Sequence, residues 1–177
     1  MAMPPKAEPT EQHRFLTDLV GTWTYASEPI EEGTKVFTGT ETVRTLGDVW
    51  ILLEATGNGA QSDISSIMTL GYDPAKGRFV GSWIGNSTTE FWPYNGTLSE
   101  DRKVLTLASE GPSMSDEGKL GHYRDEFTFV SDDERVLKAY LQKENGEWEH
   151  FMTTRYRRTR LPSVARASLP AFRNSAK

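Results

Sequence analysis

From Gly21 to about Thr159, apolar and polar residues trade places at every second position, and turn-forming residues interrupt the alternation at short intervals. Period two is the repeat of a β-strand with two unlike faces, and it is incompatible with the 3.6-residue repeat of a helix. Segments with this pattern run at about 21–27, 34–46, 48–57, 61–72, 78–86, 88–98, 103–110, 119–130, 134–144 and 147–159. Between them stand Glu32-Gly33, Gly57-Asn58-Gly59, Asp73-Pro74-Ala75-Lys76-Gly77, Ser131-Asp132-Asp133 and Asn145-Gly146, all suited to tight turns. Connections this short pair each strand with its successor, and no intervening stretch could form a crossover helix. A sheet of about ten hairpin-linked strands is too wide to stay open, and closure removes both unpaired edges. The expected fold is therefore all-β: a single closed antiparallel up-and-down barrel of about ten strands, in preference to a sandwich.

The ends read differently. Residues 1–9, with Pro4, Pro5, Lys6 and Glu8, predict a flexible lead. Thr10 with His13 three residues on is half a capping box, and Phe15, Leu16, Leu19 and Val20 share a helical face before Gly21. A short helix over about 10–18 follows, with His13 toward solvent. The barrel domain spans 10–160, and 161–177 reads as a basic C-terminal tail.

Charge and composition exclude several function classes. The formal net charge is −5, and the tail holds three cations and no acid, which leaves −8 on the rest. An acidic body repels polyphosphate, so no nucleic-acid partner is expected. No cysteine is present, which removes disulfides, thiolate metal sites and cysteine nucleophiles. No apolar run approaches the roughly 20 residues of a membrane span, and the N-terminal stretch lacks the core of a signal peptide. A cytoplasmic location is the expectation.

Several motifs point to known families. The helix running into Gly21-Thr22-Trp23 resembles the Gly-x-Trp opening of lipocalin-like (calycin) barrels. There a short helix plugs one end, and an arginine of the last strand covers the tryptophan; Arg155, Arg157 and Arg158 are the candidates. Leu70-Gly71-Tyr72-Asp73-Pro74 with Phe79 and Trp83, Gly96-Thr97-Leu98, Leu105-Thr106-Leu107 and Arg155-Tyr156-Arg157-Arg158 resemble the bacterial domain-of-unknown-function 1579 family over roughly residues 12–159. That resemblance implies the lipocalin-like barrel and no particular activity. The Asp73–Gly77 motif also reads as a plain hairpin, with Asp73 bonding back to the turn and Gly77 taking positive φ.

Alternation nominates an interior. It groups Glu90, Trp92 and Tyr94; Tyr123, Asp125, Phe127 and Phe129; Val136, Lys138 and Tyr140; and Trp148, His150, Met152, Thr154 and Tyr156. Gly81 and Gly85 flank Trp83 and leave room about its ring. These sets predict either a ligand cavity with aromatic walls or a solidly packed barrel. The favoured function is non-covalent binding of a small apolar or amphipathic molecule. Trp83, Trp92, Tyr123 and Tyr140 would supply stacking surface, while Glu90, Arg124, Asp125 and His150 would orient its polar end. Arg124 and Tyr123 have opposite parity, so a regular strand admits only one of them.

Two alternatives remain open at this stage. One is an enzyme using Glu90, Asp125 or His150 as acid or base. The other is a dimeric interaction module with a solid barrel, suggested by the two apolar faces of 48–57 (Val49, Ile51, Leu53 and Ala55 against Trp50 and Leu52). A cover for that outer face, such as the helix, the tail or a second subunit in a homodimer, is expected. No metal site is predicted, since His13, His122 and His150 lack ligand spacing. No cofactor is expected; haem through His150 is the one form considered, with a structural histidine preferred.

Overall fold

The computed structural model describes residues 6–31, 33, 36–59, 62–114 and 117–160. The expected tail and most of the expected lead lie outside the described residues. One helix and ten strands follow in order: α1 (Glu11–Thr17), β1 (Gly21–Ser27), β2 (Thr38–Leu46), β3 (Trp50–Asn58), β4 (Asp63–Asp73), β5 (Arg78–Gly85), β6 (Trp92–Leu98), β7 (Val104–Pro112), β8 (Leu120–Ser131), β9 (Glu134–Gln142) and β10 (Trp148–Thr159). Each strand pairs antiparallel with its sequence neighbours, and β1 joins β10 from Thr22 opposite Thr159 to Ser27 opposite Thr154. The result is a closed ten-stranded up-and-down barrel with no free edge. No helix among the described residues is long and apolar enough to cross a membrane.

The turns form as their residues dictate. Asp73 Oδ1 accepts the N–H groups of Ala75 and Lys76 at 3.0 and 3.2 Å, and Gly77 has φ +64°. β6 begins at Trp92, later than the alternation suggests, because polar side chains before it take up backbone groups. Asn86 accepts from Ser65 N–H and donates to Asp63 O, while Thr88 Oγ1 accepts from Glu90 N–H. Such side-chain bonds offer the backbone an alternative to the ladder.

Helix α1 closes one end of the barrel. Phe15 and Leu16 are buried there, with Phe15 edge-on to Phe79 and Phe129 at centroid distances of 6.1 and 5.1 Å. His13 is buried too, contrary to the expectation that it faces solvent. Its Nδ1 accepts the Thr10 N–H at 2.9 Å, and its Nε2 lies 3.0 Å from Tyr72 O. That pattern places the proton on Nε2, so one ring both caps α1 and ties it to β4. Arg102, the only described non-glycine with positive φ, pairs with Glu11 and lays its guanidinium over Phe15.

Trp23 sits beneath the helix and is almost fully buried; its indole N–H donates to Leu19 O at 2.9 Å. Arg158 is the arginine that covers it, with the guanidinium carbon 4.2 Å from a ring centroid. Arg158 also donates to Val20 O, Asp18 O and Asp132 O. A second guanidinium lies 4.2 Å from a Trp23 ring centroid, that of Arg135 on β9. Arg135 is fully buried, pairs with the buried Glu41 of β2, and lies 4.5 Å from the Tyr156 ring.

Candidate functional site

Side chains fill the half of the barrel nearer α1, where Val43, Ile51, Leu70, Phe79 and Leu105 pack together. The other half is hollow. A cavity of about 620 Å3 opens there, in the size range of small-molecule sites. A solid interior, one of the sequence-based alternatives, is not what the structure has. Trp83 of β5, Trp92 and Tyr94 of β6, Tyr123 and Phe127 of β8, and Tyr25 and Tyr156 of β1 and β10 supply its rings. The walls hold their shape through mutual contacts: Trp92 meets Tyr123 edge-on at 5.1 Å, and Tyr25 meets Tyr156 at 5.6 Å. Glycines give two of these rings their seats. A Cβ at Gly85 would lie 2.5 Å from the Trp83 ring, and one at Gly111 would lie 2.2 Å from the Trp92 ring. Gly81, expected to flank Trp83, is instead constrained by Thr69 O, 1.9 Å from where its Cβ would stand.

Polar groups in the cavity are few. Tyr94 Oη donates to Asp125 Oδ2 at 2.6 Å. Asp125 is half-buried, and the surface it shows lines the cavity. Removal from bulk water pushes its carboxyl up to about 6, against the pull of the Tyr94 hydrogen bond. Burial and the neighbouring Asp125 charge raise the Tyr94 phenol well above its ordinary range. Tyr156 is raised as well, chiefly by burial. Ser109 is buried on the cavity wall, and its Oγ has no hydrogen-bond partner. Tyr123 is latched at its outer end, donating to Pro112 O at 2.6 Å and accepting from Met114 N–H at 3.0 Å.

The residues nominated from alternation separate into two groups. Trp83, Trp92, Tyr123 and Asp125 line the cavity, and Glu90 stands exposed at its mouth in the loop before β6. Arg124, Tyr140 and His150 do not reach the interior. Arg124 points outward and stacks between Tyr140 and Trp148 at 4.8 and 4.6 Å, paired with Glu126. Tyr140 is outward because the inner face of β9 is Arg135, Leu137, Ala139 and Leu141, the opposite parity from the one expected. His150 is outward because β10 carries a bulge: His150 pairs with Tyr140 and Met152 with Ala139, leaving Phe151 as an extra residue. The bulge sends Trp148 and His150 outside while Met152, Thr154 and Tyr156 face in. The His150 ring lies against Tyr140, with Nε2 2.8 Å from Thr153 Oγ1 and 2.9 Å from Met152 O. Nε2 is thus engaged by its own strand, and His150 is absent from the cavity lining. Of the three groups considered for acid–base chemistry, Asp125 alone is inside.

Glu41, Ser109 and Arg135 are interior polar residues that alternation did not nominate, as are Tyr25 and Ser66 on the cavity wall. Glu41 was within reach of the pattern, being two residues before the inward Val43 and so on the same face of β2. No group of three or more metal-binding side chains occurs among the described residues.

Among solved structures, the barrel resembles that of Rv2717c from M. tuberculosis, with 13% identity and a TM-score of 0.54 over 86% of this chain and 100% of that one. It also resembles an S-type phycobiliprotein lyase, CPES from Guillardia theta, with 12% identity and a TM-score of 0.52 over 86% and 95% of the two chains. A designed barrel solved with DFHBI bound matches at 13% identity, 83% and 98% coverage and a TM-score of 0.44. At these identities the first two likenesses speak for the fold alone. A search of curated proteins found no match. The family described as "Protein of unknown function (DUF1579)" matches residues 8–158, the helix and all but the last residue of the barrel, and the chain belongs to it.

Proposed function

We propose that this barrel binds one small molecule with an apolar body, without covalent chemistry, in the cavity of its open half. The observation that carries the reading is the 620 Å3 space itself, walled by Trp83, Trp92, Tyr94 and Tyr123, with an unpartnered Ser109 hydroxyl in its wall. Protein interiors ordinarily close on themselves, and a hollow of this size forfeits contacts on every surface that bounds it. A buried hydroxyl without a partner adds about 1–3 kcal/mol of unfavourable desolvation. An apolar body would restore the wall contacts, and a polar end would reach Asp125. Glu90 at the mouth and the latched Tyr123 frame the entrance.

The test is uptake of Nile red, a neutral dye whose emission rises and shifts blue in apolar surroundings, joined to native mass spectrometry of the freshly purified protein. Saturable binding of one dye per chain supports the reading, as does a retained small molecule. Ser66, whose side chain lines the cavity, offers a control: Ser66→Phe places a ring in the space and should weaken dye binding at least tenfold. Absence of both dye uptake and retained ligand in the folded wild-type protein would defeat the proposal.

A further inference from the structure

The charge in the cavity has one sign. Among the described residues, Glu41, Glu90 and Asp125 line it, and no lysine, arginine or histidine does. Glu41 is matched from behind by Arg135, and Glu90 is exposed to solvent at the mouth. Asp125 has neither remedy. Its only hydrogen bond among the described residues is the one from Tyr94 to Oδ2, and it has no ion-pair partner there. Oδ1 is left without a donor among the described residues, in a wall whose surface is mostly apolar. The titratable and charged groups around it in the interior are Tyr94 on β6, Tyr123 on β8, Tyr156 on β10, Tyr25 on β1 and the Glu41–Arg135 pair between β2 and β9. Not one of them brings Asp125 a free positive charge.

An isolated carboxylate held away from water is costly, and a cation beside it removes most of that cost. Aromatic faces also attract cations, so the walls that suit an apolar body suit a positive one. A carboxylate-bearing ligand would meet three carboxylates and no cation. A neutral hydroxyl would leave the Asp125 charge uncompensated. A divalent metal would find too few ligands, given that no cluster of three occurs among the described residues.

Resting on the reading of the barrel as a ligand holder, we propose that the molecule it takes is an organic cation. Its protonated amine sits on Asp125 Oδ1, and its apolar body lies among Trp83, Trp92 and Tyr123. Ser109 stands on the neighbouring strand β7. Leu107 pairs with Asp125 and Ser109 with Tyr123, so the hydroxyl lies diagonally across from the carboxylate, one pleat nearer the mouth. The net charge of −5 steers such a molecule toward the protein.

Three ligands sharing one body separate this from its alternatives: 2-(2-naphthyl)ethylamine, the corresponding alcohol and the corresponding carboxylic acid, titrated calorimetrically at pH 7.5. The amine should bind at least tenfold more tightly than the alcohol, with the acid weakest. Lowering the pH from 8 to 5 should weaken the amine and leave the alcohol unchanged, since Asp125 takes up a proton over that range. Asp125→Asn should bring the amine down to the alcohol's affinity. The selectivity and pH profile of the wild-type protein stand even where that variant folds poorly. Equal affinities for amine and alcohol, or a preference for the acid, would overturn the amine assignment while Nile red binding keeps the ligand-holding reading. Failure of all three ligands and of Nile red would remove both.

Discussion

Asp125 has its carboxyl raised from 3.8 to about 6 by burial, and that shift couples its titration to the stability of the empty barrel. In the unfolded chain the proton leaves near 3.8; in the folded chain it stays until about 6. Between those values the folded state binds more protons, so this group's contribution is fully present below 3.8 and is lost as pH rises through about 6. The full loss amounts to roughly 3 kcal/mol at 1.36 kcal/mol per pKa unit. Asn at this position can still accept the Tyr94 hydroxyl and does not titrate. The stability of Asp125→Asn relative to wild type should therefore grow by about 2 kcal/mol from pH 4 to pH 7. Urea unfolding at a series of pH values measures it, and a difference that stays flat with pH would show that Asp125 is not desolvated in the fold. A site that is destabilising when empty and charged is what a cation-binding pocket requires, because binding then relieves a cost already present in the fold.

At the scale of elements, alternation succeeded where one face of a strand was plainly wetter than the other. Tyr123, Asp125, Phe127 and Phe129 all face inward on β8, as that pattern requires, with Phe129 reaching the helix and the other three the cavity. β9 misled because both of its faces carry large apolar groups. The outer set of Val136 and Tyr140 is covered by neighbours such as Arg124, while the inner set begins with an arginine. β10 misled because a bulge exchanges the faces midway, and a single inserted residue leaves no mark in composition. The inner arginine is the more consequential miss. Arg135 is sealed between Trp23 and Tyr156, and Glu41 is its one charged partner among the described residues. Its Nε and Nη1 have no hydrogen-bond acceptor, so the pair binds β2 to β9 across the interior with little to spare. Glu41→Gln should cost about 3–5 kcal/mol, because it leaves a guanidinium buried without a counter-charge. Glu41→Gln combined with Arg135→Met should recover much of that loss, and denaturant unfolding of the two variants decides it. If the double variant is no more stable than the single one, the aromatic stacking of Arg135, rather than its charge balance, is what holds the two strands.

Across the whole molecule, the ring order of ten strands was legible because short turns force neighbours to pair, and closure follows from strand number. The division of the barrel into a packed half and a hollow half was not legible, since the same aromatic alternation runs through both. What divides them is α1 with the Trp23 cluster, filling one end and leaving the other open. Arg158 fastens that filled end: its guanidinium covers Trp23 and donates to the carbonyls of Asp18, Val20 and Asp132, joining the helix exit, the start of β1 and the β8–β9 turn. None of the cavity-lining residues contributes to these bonds. Arg158→Met would keep an aliphatic stem over the indole but lose three carbonyl partners and the cation. Charged hydrogen bonds are worth about 1.5–3 kcal/mol each when lost, and partial solvent access to this side chain, 15% exposed, reduces their sum. A loss of about 3 kcal/mol in unfolding free energy is the expected outcome. Nile red affinity should stay within twofold at temperatures where the variant remains folded, because the walls of the cavity are carried by the other half of each strand. A large drop in affinity without unfolding would mean that the two halves move as one, and that the packed end sets the shape of the hollow one.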